Sequence, residues 1–142
     1  MEAAPSAEEA LKTGIALFAG GEFEKAIAAF SRALTMKPDY AESFYHRGLV
    51  HYERDEPVRA IADFDAAIRL DPLYFAAWFN RGNLYVIQKD YVRALADYTQ
   101  AIRLNPVSAA AYRNRASVYR MQGKQGDAEA DFAEARRLGR EE

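Results

Sequence analysis

The chain has 142 residues, half of them hydrophobic, with 19 Lys+Arg against 21 Asp+Glu and no Cys. That is the size of one domain with apolar content enough for a core. It excludes disulfides, thiolate metal sites and a Cys nucleophile, and a net charge of −2 gives no general attraction to nucleic acid. The opening stretch, 1–6, is too short and too polar for a signal peptide. No apolar run approaches the roughly 18 residues of a membrane span. A cytoplasmic location with no membrane partner is therefore the default expectation.

After a flexible tail at 1–6, the apolar pattern predicts a first helix at 7–19, with Ser6 and Glu9 at capping-box spacing. Gly20-Gly21 makes a turn into a second helix at 22–36. After Pro38, Asp39 and Glu42 repeat the capping-box spacing before a third helix at 41–54. Pro57 opens the fourth, 57–70, at a first-turn position where its missing N–H had no partner. Beyond Pro72 come helices at 75–88 and 91–104, and beyond Pro106 helices at 109–122 and 125–138, turning at Gly123. Residues 139–142 are expected to form a C-terminal tail.

The elements repeat with one period. Pro38, Pro72 and Pro106 are 34 residues apart. The same step joins Gly14, Gly48, Gly82 and Ala116; it joins Ala26, Ala60, Ala94 and Ala128; and it joins Phe30, Phe64, Tyr98 and Phe132. A fifth column holds Ala33, Ala67, Ala101 and Ala135. Small residues on one helix opposite aromatic ones on its partner form a packing device that needs no ligand.

The third unit carries the fullest set, Trp78, Gly82, Tyr85, Ala94, Tyr98, Ala101 and Pro106. A 34-residue helix–turn–helix period with these columns resembles the tetratricopeptide repeat, and the wording resembles its bacterial members. The resemblance covers about 7–138. It implies an all-α fold: a right-handed superhelical solenoid of four repeats (7–40, 41–74, 75–108 and 109–138) and eight helices. The first helix of each pair would line a concave groove that binds a peptide segment or short helix of another protein.

The repeats can be compared with one another. Arg47, Arg81 and Arg115 share a column in which the first unit has Thr13; Asp63, Asp97 and Asp131 share another in which it has Ala29. Because the two residue types come and go together, Arg–Asp bridges are expected within units 2, 3 and 4, as structural pairs rather than a phosphate-binding row. The last helix carries Gln125, Gly126, Asp127 and Glu129, with Arg136 where Leu34, Ile68 and Ile102 stand earlier. A solenoid needs a polar terminal face, so this helix reads as a cap and the chain as a complete module.

No residue set predicts catalysis. His46 and His51 are five apart, on different helix faces, where a zinc pair on one helix needs four. His51 shares its column with Leu17, Tyr85 and Tyr119 and is expected to pack. Asp63 and Asp65 point apart, and Gly20-Gly21 lacks the Lys-Ser/Thr of a phosphate cradle. A non-enzymatic protein without metal or cofactor is expected.

Carried onto the first helices, the resemblance places one groove column at Lys12, His46, Asn80 and Asn114. Its neighbours run Leu11, Tyr45, Phe79, Arg113; Ile15, Leu49, Asn83, Ser117; and Phe18, Tyr52, Val86, Arg120. From these the peptide-binding set is expected to be Lys12, Tyr45, His46, Leu49, Tyr52, Phe79, Asn80, Asn83, Arg113, Asn114, Ser117 and Arg120. Asn80 and Asn114 would offer amides to a bound backbone, similar to the asparagine ladder in the repeat superhelix of the enzyme that attaches N-acetylglucosamine to proteins. Tyr45, Tyr52 and Phe79 would add an aromatic strip. The Lys, Asn and Arg cluster by which part of the family holds acidic chaperone tails is not matched. Its places over units 1 to 3 hold Leu11, Ile15, His46, Ala76 and Asn80, and over units 2 to 4 Tyr45, Leu49, Asn80, Ala110 and Asn114. The function expected is an adaptor or scaffold for a protein or peptide ligand, the chain being a monomer or weak homo-oligomer without nucleic acid. The alternative is a self-assembling module using the groove or end faces.

Overall fold

In a computed structural model of the protein, which describes residues 4–140, the described residues form eight helices and no strand. They are α1 (Ala7–Ala19), α2 (Phe23–Met36), α3 (Ala41–Glu53), α4 (Pro57–Leu70), α5 (Phe75–Ile87), α6 (Tyr91–Leu104), α7 (Ala109–Met121) and α8 (Gln125–Arg140). Seven agree with the expected bounds to within one residue. The eighth runs on through Gly139 and Arg140, which the sequence reading assigns to a tail. Residues 1–3 of the expected N-terminal tail and 141–142 of the C-terminal one lie outside the described residues.

The four helix ends inside repeats are built alike. The backbone N–H of Glu22, Glu56, Asp90 and Lys124 reaches back five residues to the carbonyls of Leu17, His51, Tyr85 and Tyr119, at 2.8–2.9 Å. The residue before each is left-handed: Gly21 (φ 77°), Asp55 (φ 57°), Lys89 (φ 61°) and Gly123 (φ 76°). This is the Schellman ending, which glycine enters without strain.

Helix starts differ by repeat. Ser6, Asp90 and Ser108 accept the backbone N–H of Glu9, Arg93 and Ala111 on their side chains. The expected Asp39–Glu42 capping box does not form. The cap of α3 is Tyr40, with no side-chain cap bond, and its carbonyl takes the amides of Ser43 and Phe44. Tyr40 is buried under Lys37, whose ammonium lies 4.5 Å from the ring centre, so an apolar anchor replaces the polar cap. Tyr74 starts α5 in the same way, without a side-chain cap.

The chain divides at a repeat boundary into two compact units, Met1–Pro72 and Leu73–Glu142. In the first, α1 packs on α2 and α3 on α4, with α2 against α3 and α1 touching α3. The second repeats the plan with α5 on α6, α7 on α8, α6 against α7 and α5 touching α7.

Within each helix pair the glycine column meets the aromatic column. A Cβ added to Gly14 would stand 2.5 Å from the Phe30 ring, one on Gly48 2.8 Å from Phe64, and one on Gly82 2.8 Å from Tyr98. Phe30, Phe64 and Tyr98 are fully buried as a result. In the last repeat Ala116 supplies a real Cβ, and Phe132 is only half-buried.

The expected Arg–Asp bridges form in all three repeats, each bidentate. Arg47 Nε and Nη2 donate to Asp63 at 2.9 and 2.8 Å, Arg81 to Asp97 at 2.9 and 2.8 Å, and Arg115 to Asp131 at 2.7 and 2.8 Å. The aspartates are buried. Each guanidinium also lies over an aromatic ring three residues earlier, on Phe44, Trp78 and Tyr112. Two reach further: Arg47 Nη1 donates to Ser31 on α2 at 3.1 Å, and Arg115 Nη1 to Thr99 on α6 at 3.3 Å. One arginine thus ties three helices, two of its own repeat and one of the repeat before. The bonded aspartates hold the Arg47 and Arg115 guanidiniums even further above neutrality than usual.

Candidate functional site

The first helices present the side chains that the repeat geometry assigns to a groove. In the unit Met1–Pro72 many of them turn inward. Leu11 is buried in the core beside Ala10, while Lys12 is exposed. His46 stacks on Phe30 at 5.8 Å and meets the edge of Tyr45 at 5.1 Å. Tyr45 in turn tilts onto Phe64 at 5.8 Å. Leu49 and Tyr52 are half-buried. The aromatic surface on α3 therefore leans on the second helices and is only partly available. Burial holds the His46 imidazole below its ordinary value, against the pull of Glu42 in the other direction.

His51 is packed, as its column predicts, but among charges. Its Nδ1 lies 3.1 Å from Glu56 and its Nε2 3.7 Å from Asp63. Hydrogen bonding to His51 is the main reason that the Glu56 carboxyl is held below its ordinary value.

In the unit Leu73–Glu142 the polar groups organise. Asn83 on α5 is the centre. Its Oδ1 accepts from the Tyr98 hydroxyl on α6 and, at 3.0 Å, from Asn114 Nδ2 on α7. Three helices of two adjacent repeats meet at one amide oxygen. Two saturating bonds fix the amide's orientation, leaving Asn83 Nδ2 and Asn114 Oδ1 without a protein partner among the described residues. Neither is a buried orphan; Gln122 Oε1 is the only such atom among the described residues. The pair therefore leaves one donor and one acceptor open to solvent. Asn80, the other expected rung, donates to the Ala76 carbonyl of its own helix at 3.0 Å. Phe79 lies between Phe75 and Tyr98, 5.8 and 5.9 Å from each. Arg113 and Arg120 are exposed, and Ser117 between them donates to the Arg113 carbonyl.

The structure thus brings together Phe79, Asn83 and Asn114 in one unit, while the expected Asn80–Asn114 ladder gives way to an Asn83–Asn114 pair. The residues are 31 apart, one repeat less three, so a search by whole periods misses the pair. Tyr98 is legible only as packing, since the other aromatic members of its column, Phe30, Phe64 and Phe132, carry no hydroxyl to suggest the bond to Asn83.

Among the described residues no group of three or more His, Cys, Asp or Glu could hold a metal, and no helix is long and apolar enough to cross a membrane.

Descriptions of the tetratricopeptide repeat match residues 11–74, 75–106 and 97–130. No curated protein sequence matches significantly. Among solved structures, a crystal structure of MamA superposes with a TM-score of 0.91 at 24% identity, covering 95% of this chain and 79% of that one. A second MamA crystal structure gives 0.86 at 25% identity, over 93% and 72% of the two chains. MamA from residue 41 onward of Desulfovibrio magneticus RS-1 gives 0.87 at 19% identity, over 96% and 77%. At these identities the likeness is one of fold. With three repeat matches that together span 11–130, and eight helices in helix–turn–helix pairs, the chain belongs to the tetratricopeptide repeat family, an all-α helical-repeat fold of typically non-catalytic protein-interaction modules.

Proposed function

We propose that the protein is a non-catalytic adaptor that binds a peptide segment of a partner protein along its first helices. The observation that carries this reading is the Asn83–Asn114 pair, locked by Tyr98 and leaving a donor and an acceptor open to solvent. A peptide group offers the same two functions in the opposite sense, so the pair is matched to a bound main chain of any sequence. Because both amides are held before the ligand arrives, little side-chain entropy is lost on binding. Phe79 beside them supplies apolar area for a ligand side chain. The expected set in the unit Met1–Pro72, Lys12, Tyr45, His46, Leu49 and Tyr52, has a smaller part in this reading, since Tyr45 and His46 are engaged with Phe64 and Phe30. Asn80 is likewise bonded to its own helix, and Ser117 to the Arg113 carbonyl.

The test starts from peptides selected against the intact chain from a displayed library of random 12-residue sequences. Asn114→Ala with Phe79→Ala should lower affinity about tenfold in a calorimetric titration, the loss of one or two good hydrogen bonds. Circular dichroism must show the helices retained. Equal affinity of wild type and variant would sink the proposal.

A further inference from the structure

Two columns of the first helices change character together in the last repeat. Arg113 stands where Leu11, Tyr45 and Phe79 stand earlier, and Arg120 where Phe18, Tyr52 and Val86 do. A polar terminal repeat does not account for the change at Arg113, because the aromatic members of its column pack inside their own repeat. Tyr45 rests on Phe64 and Phe79 on Tyr98, each within its own helix pair. The aromatic partner persists in the last repeat as Phe132, with Arg120 lying 5.2 Å over its ring. The helix dipole favours a cation at the Arg120 end of α7 but gives no reason for one at Arg113.

The two arginines are seven residues apart, so they lie on one face of α7 about 10 Å from each other. Both are exposed, and neither has an ion-pair partner among the described residues. The other two arginines of α5 and α7, Arg81 and Arg115, are consumed by Asp97 and Asp131. Neither α5 nor α7 contains an Asp or a Glu, whereas α1 and α3 carry Glu8, Glu9, Glu42 and Glu53. Two arginines without an ion-pair partner among the described residues, on a helix that carries no acid and also bears Asn114, complement one class of ligand.

We infer that the partner segment is acidic, with two carboxylates about 10 Å apart that engage Arg113 and Arg120 while its main chain bonds to the Asn83–Asn114 pair. The inference rests on the peptide-adaptor reading and adds the chemistry of the ligand. The arrangement differs from the Lys, Asn and Arg cluster that holds acidic chaperone tails, whose places are spread over three repeats: both cations come from one helix, two turns apart, and they read spacing.

The probes are the 12-residue peptides selected by display against the intact chain. The expected result is enrichment of paired Asp or Glu. Arg113→Gln with Arg120→Gln should then lower affinity at least about tenfold, and replacing the two peptide acids by Gln or Asn should do the same on wild-type protein, so that misfolding of the variant is not an explanation. Arg113→Glu with Arg120→Glu should instead prefer the peptide with Lys at the two acid positions. Binders without paired acids, indifferent to both arginines yet lost on Asn114→Ala, would overturn this inference and leave the adaptor reading standing. A library that yields no binder at all would overturn both.

Discussion

Glycine at 14, 48 and 82 is required by the ring that fills the space of its missing Cβ. Gly82→Ala would put a methyl group 2.8 Å from the Tyr98 ring, and the ring has no exposed side toward which to yield. We expect a loss of about 1–3 kcal/mol in a denaturant melt, and no comparable loss for Gly126→Ala, where nothing lies within 4 Å. Lys89 is the opposite case: a side chain held at φ 61° where two sister repeats use glycine. Lys89→Gly should gain about 0.5–1 kcal/mol in the same melt, and a loss would mean that the lysine side chain contributes more than its backbone strain costs. His46 gives the chain a pH dependence. Its folded value lies below the ordinary 6.5, so between the two the unfolded chain binds a proton that the folded chain does not. The neutral ring's contribution is full above about pH 6.5 and is lost as pH falls through that window. The melting temperature of wild type should fall between pH 7.5 and 5.5, and His46→Asn, which copies the residue of the later repeats, should lessen the fall. An equal fall in the variant would refute it.

Among the elements, Arg47 and Arg115 each couple a first helix to its own partner and to the second helix of the repeat before. Arg115 is bonded to Asp131 on α8 and to Thr99 on α6, while Tyr112 and Tyr119 flank its guanidinium. Removing Asp131 strands this cation between two rings. Asp131→Ala should cost about 2–4 kcal/mol, measured by urea denaturation, and the Arg115→Met, Asp131→Leu double variant should cost less than Asp131→Ala alone. A double variant that is worse would show that the ion pair adds net stability. The existence of these pairs was legible from Thr13 and Ala29 lacking them together in the first repeat. Their strength was not, because it depends on burial: the aspartates sit in the interior, where a bidentate pair is little screened. Ser31 and Thr99 lie in a different column and were not legible, since a hydroxyl at a helix surface carries no signal until an arginine from the next repeat reaches it.

At the scale of the whole chain, a net charge of −2 conceals an uneven distribution. The acids on first helices belong to α1 and α3, and the arginines without an ion-pair partner among the described residues to α7. Binding of an acidic peptide should therefore be governed by local field rather than by net charge. Raising salt from 0.1 to 1 M shortens the screening length from about 10 to about 3 Å and should weaken binding severalfold. Affinity that holds constant across that range, followed by fluorescence anisotropy, would argue for an apolar ligand seated on Phe79.

The sequence by itself determined the repeat, the eight helices, the glycine–aromatic packing and the three Arg–Asp pairs. These follow from a strict period of 34, which fixes which residues share a place in successive repeats. Tertiary structure decided which polar side chains are spent and which remain open to solvent. The period pairs Asn80 with Asn114; packing pairs Asn83 with Asn114 and turns Asn80 back onto its own helix. Period fixes register, whereas a hydrogen bond depends on which atoms of two helices approach within about 3 Å, and only the packed molecule sets that distance.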